Sequence, residues 1–312
     1  MKIVFLGTSE FAVPSLKKLH NTHGISAVIT KRDKPQGRRL LSAPSPVKAA
    51  AQELGLPVSS VEGLPADKAV EALAEYRADI FIVIAYGQIL PAKVLSLPAM
   101  GSIGLHASLL PKYRGPSPIN WAIINGETTT GVTVFRLNEK MDEGAIVSQR
   151  RVEILPSDNA QTLSDKLAVT GAELLSGSVT DIASGRASFT EQDAKEATVT
   201  GKLKKEDGRI DWSRPASVIN NRVRGLYGWP GAFSSLSGKA VKIWSSGLPS
   251  AVEAAGASNP GMITAIDKEG ITVGCGDGSV IILELQAEGG RRMKASEYAL
   301  GHNVRAGDSF VK

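Results

Sequence analysis

Residues 80–84, Ile80-Phe81-Ile82-Val83-Ile84, form an unbroken apolar run between Asp79 and the Ala85-Tyr86-Gly87 turn. Such a run has no polar face. As a strand it must be covered on both sides, which is the condition of a central parallel strand flanked by helices. The chain before it supplies partners. Residues 2–6 and 26–30 are strand-like and enclose a helical stretch at 13–20. Residues 45–54 predict a second helix with Pro46 in its first turn, and 66–76 are amphipathic with Pro65 just ahead. Residues 102–106 follow as a further strand. This βαβ rhythm predicts an α/β fold with a doubly wound sheet, in which ligands bind at the carboxyl ends of the strands.

Beyond residue 130 the rhythm changes. Residues 131–137 and 146–154 predict two strands joined by a turn, and 159–183 a long helix. Residues 184–205 are polar with no apolar period and read as a linker. Then strand-like pieces recur at short spacing, at 232–236, 240–245, 261–267, 270–274 and 279–286, after a helix at 216–224. Turns such as Ser237-Gly238 and Asp277-Gly278 separate them, the pattern of a small β-barrel. The expected division is 1–186, a linker at 187–205, and 206–312. The Ala/Ser/Gly-rich piece at 250–258 reads as a loop.

Composition narrows the class. A chain of 312 residues, 42% hydrophobic and 21% charged, suits a soluble enzyme of about two domains. No apolar run approaches the roughly 18 residues of a membrane span, and the opening strand is too short for a signal-peptide core. The single cysteine, Cys275, excludes an internal disulfide and points to a reducing cytoplasm. The net charge of +5 is mild, but it is clustered. Lys31, Arg32, Lys34, Arg38, Arg39 and Lys48 face one acid, Asp33. Lys202, Lys204, Lys205, Arg209, Arg214, Arg222 and Arg224 form a second group. Such clusters bind polyanions, although for either one alone a solvated surface is the better reading.

The chemistry concentrates in Leu105-His106-Ala107-Ser108-Leu109-Leu110-Pro111-Lys112-Tyr113-Arg114-Gly115. A strand ending in His and followed by a Pro- and Gly-pinned loop holds an imidazole at a sheet edge. Asp142, in Met141-Asp142-Glu143-Gly144, offers a carboxylate in a turn. Together they can move protons or stabilise an oxyanion, although a capping His and a turn Asp would look the same. His20, His23 and His302 lack partners at metal-ligand spacing, so no metal is expected. Ser108 lacks the elbow of a serine hydrolase. Gly7-Thr8-Ser9-Glu10-Phe11 is neither a dinucleotide fingerprint nor a P-loop; it reads as a tight turn in which Thr8 or Ser9 caps the next helix. Trp121, Trp212, Trp229 and Tyr227 read as core anchors, and Cys275 as a packed small residue.

The His106 segment with Asp142 in a D-x-G turn resembles the folate-dependent formyltransferases. Gly7-Thr8-Ser9-Glu10-Phe11-Ala12, Pro44-Ser45-Pro46-Val47-Lys48, Ala85-Tyr86-Gly87-Gln88-Ile89-Leu90-Pro91, Arg209-Ile210-Asp211-Trp212, Trp229-Pro230 and Gly290-Arg291-Arg292-Met293 are similar to the methionyl-tRNA formyltransferase branch. The resemblance implies a Rossmann-like formyltransferase domain followed by an OB-like barrel, and a monomer. It implies 10-formyltetrahydrofolate as donor and initiator methionyl-tRNA as acceptor. His106 and Asp142 would be catalytic. Tyr86, Gly87, Gln88, Ile89 and Leu90 would form the donor pocket with Ser108, Leu109, Leu110 and Pro111. Lys34, Arg38, Arg39, Lys202, Lys204 and Lys205 would meet the tRNA. The family carries Asn two residues before the His; here Gly104 stands there. Asn120 or Gln88 is a candidate to supply the missing amide. Two alternatives stay open: a formyltransferase acting on an amino-sugar nucleotide, which shares the donor pocket, and a weakened relative that binds folate or tRNA without efficient turnover.

Overall fold

The computed structural model describes residues 1–36, 41–61, 67–249 and 259–311. They form two compact units: 1–115, 129–153 and 164–200 in the first, and 116–128, 154–163 and 201–312 in the second.

The first unit is built on a seven-stranded sheet. Its strands are β1 (Ile3–Gly7), β2 (Ala27–Thr30), β5 (Val58–Ser60), β6 (Ile80–Ile84), β7 (Ser102–His106), β8 (Thr129–Arg136) and β9 (Ile146–Glu153), in the order β5-β2-β1-β6-β7-β8-β9. The first five are parallel; β8 runs against them, antiparallel to both its neighbours, and β9 returns to their direction. Helices α1 (Val13–His23), α2 (Pro46–Glu53), α3 (Asp67–Ala74), α4 (Ala92–Leu95) and the long α6 (Ala160–Ala183) follow the strands, and a small β3 (Lys34–Gln36), β4 (Leu41–Ala43) hairpin lies between β2 and α2. Ile80, Phe81, Ile82 and Ile84 are fully buried in β6. Burial stabilises each such side chain by about 1.5–3 kcal/mol. The chain reverses its order across the sheet between β1 and β6, so their carboxyl ends frame a switch point. There Thr8 donates its hydroxyl to the Tyr86 carbonyl, 3.1 Å away.

That bond corrects one expectation. Thr8 is spent on Tyr86, and Ser9, though at the cap position, makes no side-chain cap bond. A serine does cap α2, where Ser45 accepts from the Lys48 N–H at 3.1 Å. The segment at 187–205 is more ordered than its composition suggests. Thr190 pairs with Ile146, and Val199 with Arg114, so its residues up to Thr200 belong to the first unit.

The second unit is a curled antiparallel sheet. Strands β10 (Ala232–Leu236), β11 (Lys239–Gly247), β12 (Ile263–Ile266), β13 (Ile271–Gly274), β14 (Ser279–Ala287), β15 (Met293–Lys294) and β16 (Phe310–Val311) run β12-β13-β14-β11-β10-β16, with β15 beside β14. A bridge between Met262 and Ser309, with Phe310 N–H on the Gly261 carbonyl, joins the two edges and closes the barrel. Closure removes the exposed edges that an open sheet would carry. The interior holds Trp212, Ile243, Ile263, Ile282, Leu285 and Phe310, with α7 (Ala216–Gly225) and α8 (Ala295–Gly301) packed on it. Helix α5 (Pro118–Ile124) belongs to this unit and meets α7. Trp212 is a core anchor as predicted, its indole N–H on Ser234. Trp229 is not; it is 63% exposed, because the chain turns there through Gly228 and Gly231 with positive φ. Among the described residues no helix is long and apolar enough to cross a membrane.

Candidate active site

His106 is the last residue of β7 and is buried. The chain then makes a tight loop through a cis Leu110–Pro111 peptide to Gly115. The imidazole is held from two sides. Nε2 lies 2.8 Å from the Tyr113 carbonyl oxygen, which can only accept, so this nitrogen carries the hydrogen. That fixes the tautomer: in the neutral ring the lone pair is on Nδ1. Nδ1 faces the Asp142 carboxylate, with Oδ2 at 3.6 Å. Phe135 meets the ring edge-on, centroids 6.4 Å apart.

Asp142 is itself positioned. Its φ of +55° lies in the left-handed region, which Asp tolerates better than most residues. Its Oδ2 accepts from the Gly115 N–H at 2.8 Å. The turn can close only because residue 144 is glycine, since a Cβ there would sit 1.7 Å from the Arg136 carbonyl oxygen. Gln192 donates to the Asp142 and Gly144 carbonyls, both at 2.8 Å, and accepts from Arg114. Gln192 leaves no signal in the sequence; it lies in the polar stretch read as a linker, 50 residues from Asp142.

The predicted donor-pocket residues lie on loops leaving the neighbouring strands β6 and β7. Several turn their side chains inward. Tyr86 is buried with its hydroxyl on the Val61 carbonyl, and Leu90 and Leu110 are buried too. Ser108 donates its hydroxyl to the Lys112 carbonyl at 2.6 Å. The main chain of 108–111 is largely engaged within the protein: Ser108 O accepts from Thr133, Leu109 O from the Lys112 N–H, Leu110 O from Gln149 and Pro111 O from the Thr198 N–H, while the Leu110 N–H donates to Thr133. What this region offers a ligand is half-buried Gln88, Leu109 and Pro111, the 74% exposed Ile89 and the backbone of exposed Gly87 and Ile89. Gly87, with φ +76°, presents its carbonyl to Lys31.

No side chain could stand at Gly104 without rearrangement. Gly104 pairs directly with Phe135 across β7 and β8. A Cβ at 104 would lie 2.8 Å from the Phe135 ring and 3.0 Å from Leu137. The edge of the Phe135 ring stands where the first side-chain atom of residue 104 would go. Asn120 does not replace the missing amide: its own donates to the Gly225 carbonyl within the second unit, at 2.8 Å.

Of the predicted tRNA-contacting residues, Lys202, Lys204 and Lys205 are exposed at the start of the second unit. Lys34 opens β3; Arg38 and Arg39 lie outside the described residues. Among the described residues no group of three or more His, Cys, Asp or Glu could hold a metal. Burial pushes the Cys275 thiol up to about 12, leaving it an unreactive packed residue.

Two family models match: formyl transferase over residues 1–179, and the formyl transferase C-terminal domain over 202–303. The methionyl-tRNA formyltransferase of Geotalea uraniireducens is 42% identical over 313 residues, covering 100% of this chain and 98% of its own. That of Caldanaerobacter subterraneus is 43% identical over 309 residues, covering 98% and 99%. Among solved structures, the N-formyltransferase of Helicobacter canadensis, crystallised with folinic acid and dTDP-3-aminofucose, shares the fold at TM-score 0.67 and 20% identity, over 90% of this chain and 98% of its own. HypX of Aquifex aeolicus, in complex with tetrahydrofolic acid, does so at TM-score 0.64 and 20% identity over 96% of this chain, which spans 47% of HypX. The chain belongs to the methionyl-tRNA formyltransferase family.

Proposed function

We propose that His106 and Asp142 carry the transfer of a formyl group from 10-formyltetrahydrofolate to the α-amine of initiator methionyl-tRNA. Formyl transfer to methionyl-tRNA is the activity of the family to which the chain belongs. The observation that carries the residue assignment is the approach of Asp142 Oδ2 to His106 Nδ1 at 3.6 Å, with both groups held by the backbone of one loop.

In this reading the neutral amine attacks the formyl carbon and a C–N bond forms. The carbonyl electrons move to oxygen, giving a tetrahedral oxyanion. The amine's extra proton leaves to Nδ1, the nitrogen whose lone pair the Tyr113 contact leaves available. The imidazolium so formed lies beside the Asp142 carboxylate, which stabilises it, and its charge stabilises the oxyanion. On collapse the bond from the formyl carbon to N10 breaks, its electron pair goes to N10, and the proton follows. Tetrahydrofolate and formylmethionyl-tRNA are released. Nothing is asked of residue 104 beyond its backbone, which agrees with the ring of Phe135 standing there.

The backbone and side chains of 87–89, above all Ile89, with half-buried Leu109 and Pro111, bind the donor's flat pterin, and the buried Tyr86, Leu90, Ser108 and Leu110 hold these loops in shape. Exposed Lys202, Lys204 and Lys205, with Lys34, Arg38 and Arg39, bind tRNA phosphates. The protein acts as a cytoplasmic monomer. The test is formyl transfer to methionyl initiator tRNA by the unmodified protein and by His106→Ala. Product that falls by about a thousandfold in the folded variant supports the reading; equal turnover removes His106 from it.

A further inference from the structure

We propose that Gln192 is a positioning residue for the reaction, holding the Asp142 turn in register with His106; this rests on the catalytic roles proposed above. Every hydrogen-bonding position of its amide is used. The two N–H groups go to the carbonyls of Asp142 and Gly144, and the oxygen accepts from Arg114 Nε at 3.0 Å and Nη2 at 2.9 Å. Arg114 is 7% exposed, and its Nη1 also reaches Glu143 Oε1 at 3.4 Å. The amide therefore joins the loop after β7 to the turn after β8.

The turn needs such a tie. It contains a left-handed Asp and a glycine pressed against the Arg136 carbonyl, a conformation that persists only where the surroundings over-determine it. The ties converge on three successive residues. Tyr113 O holds His106, the Arg114 side chain holds Gln192, and Gly115 N–H holds Asp142. Gln192 itself stays in place because its own segment is pinned on either side, by Thr190 on Ile146 and by Thr198 on Pro111 and Arg114. Loss of the two carbonyl contacts leaves Asp142 free to drift from Nδ1. A displacement of about 1 Å can cost about a hundredfold in rate.

The test separates positioning from mere anchorage. Gln192→Glu keeps an acceptor for Arg114 and gains an ion pair, but has no N–H for Asp142 or Gly144. Gln192→Met keeps the length and loses both sets of bonds; it is read well below its own melting temperature. We expect Gln192→Glu to stay folded, its ion pair to Arg114 offsetting part of the cost of setting a carboxylate oxygen against the two carbonyls, while kcat falls about ten- to a hundredfold and KM for donor and tRNA stays within about threefold. Gln192→Met should lose kcat to a similar degree while folded. A fall in kcat of about fivefold or more in folded Gln192→Glu, or in folded Gln192→Met should the Glu variant not fold, carries the proposal; a smaller fall, or a loss confined to KM, overturns it. His106→Ala in the same assay keeps the two ideas apart, since retained activity there removes the catalytic reading and not the Gln192 contacts.

Discussion

Two loops leave neighbouring parallel strands of the same sheet, and they are built differently. The loop after β6, from Ala85 to Pro91, is anchored by buried Tyr86 and Leu90, while Gly87 and Ile89 stay exposed. The loop after β7, from His106 to Gly115, is tied along its length to the β8–β9 turn and to the segment at 190–200. The first suits recognition, in which a flat ligand is met by main chain and an apolar side chain. The second suits catalysis, in which two groups must keep a fixed distance. Substitutions in the second should lower kcat, and those in the first should raise KM or change little.

The largest effect is expected from Gly144→Ala. A Cβ 1.7 Å from the Arg136 carbonyl forces the turn open and carries Asp142 away from His106. We expect kcat to fall by about a hundredfold or more, with far-ultraviolet circular dichroism unchanged. Next is Gly104→Asn. Restoring the family's amide would be expected to help a weakened enzyme. Here it drives a side chain into Phe135, so stability should drop by about 1–3 kcal/mol in urea unfolding and activity should fall. Adding Phe135→Leu should recover part of both. In the other loop, Ile89→Ala should raise KM for the donor about three- to tenfold, from about 1 kcal/mol of lost apolar contact, with kcat and melting temperature unchanged. The smallest effect belongs to Tyr86→Phe. It removes the hydroxyl contact to Val61 and should cost about 1 kcal/mol of stability, with KM for the donor unaltered. A KM effect from Tyr86 as large as that from Ile89 would break the comparison.

What the sequence made legible follows the same division. The unbroken apolar run of β6 and the His106 segment announced the sheet and the strand end at which the proposed site lies, because both signals are local. Strand β5 was missed, since Val58–Ser60 has one apolar residue and owes its place to pairing with β2. Helix α8 was missed for a similar reason: seven residues with Ala295, Tyr298 and Ala299 buried are too short to show a period. The Arg114–Gln192 tie joins residues 78 apart, and the cover that Phe135 gives Gly104 depends on the β7–β8 register. Neither leaves a trace in spacing. The polar composition of 187–205 concealed an ordered stretch because it is held by backbone hydrogen bonds, to Ile146 at the start of β9 and to the loop at 111–114, which carry no hydrophobic pattern.

The central claim is that His106 and Asp142 act as one unit, and a double-mutant cycle on kcat tests it most directly. His106→Ala, Asp142→Asn and the double variant would be compared under saturating donor and methionyl-tRNA. If the pair works as proposed, either single change costs nearly as much as both, leaving a coupling energy of about 2 kcal/mol or more. Strictly additive losses would mean that the 3.6 Å approach of Asp142 to His106 has no part in the transfer.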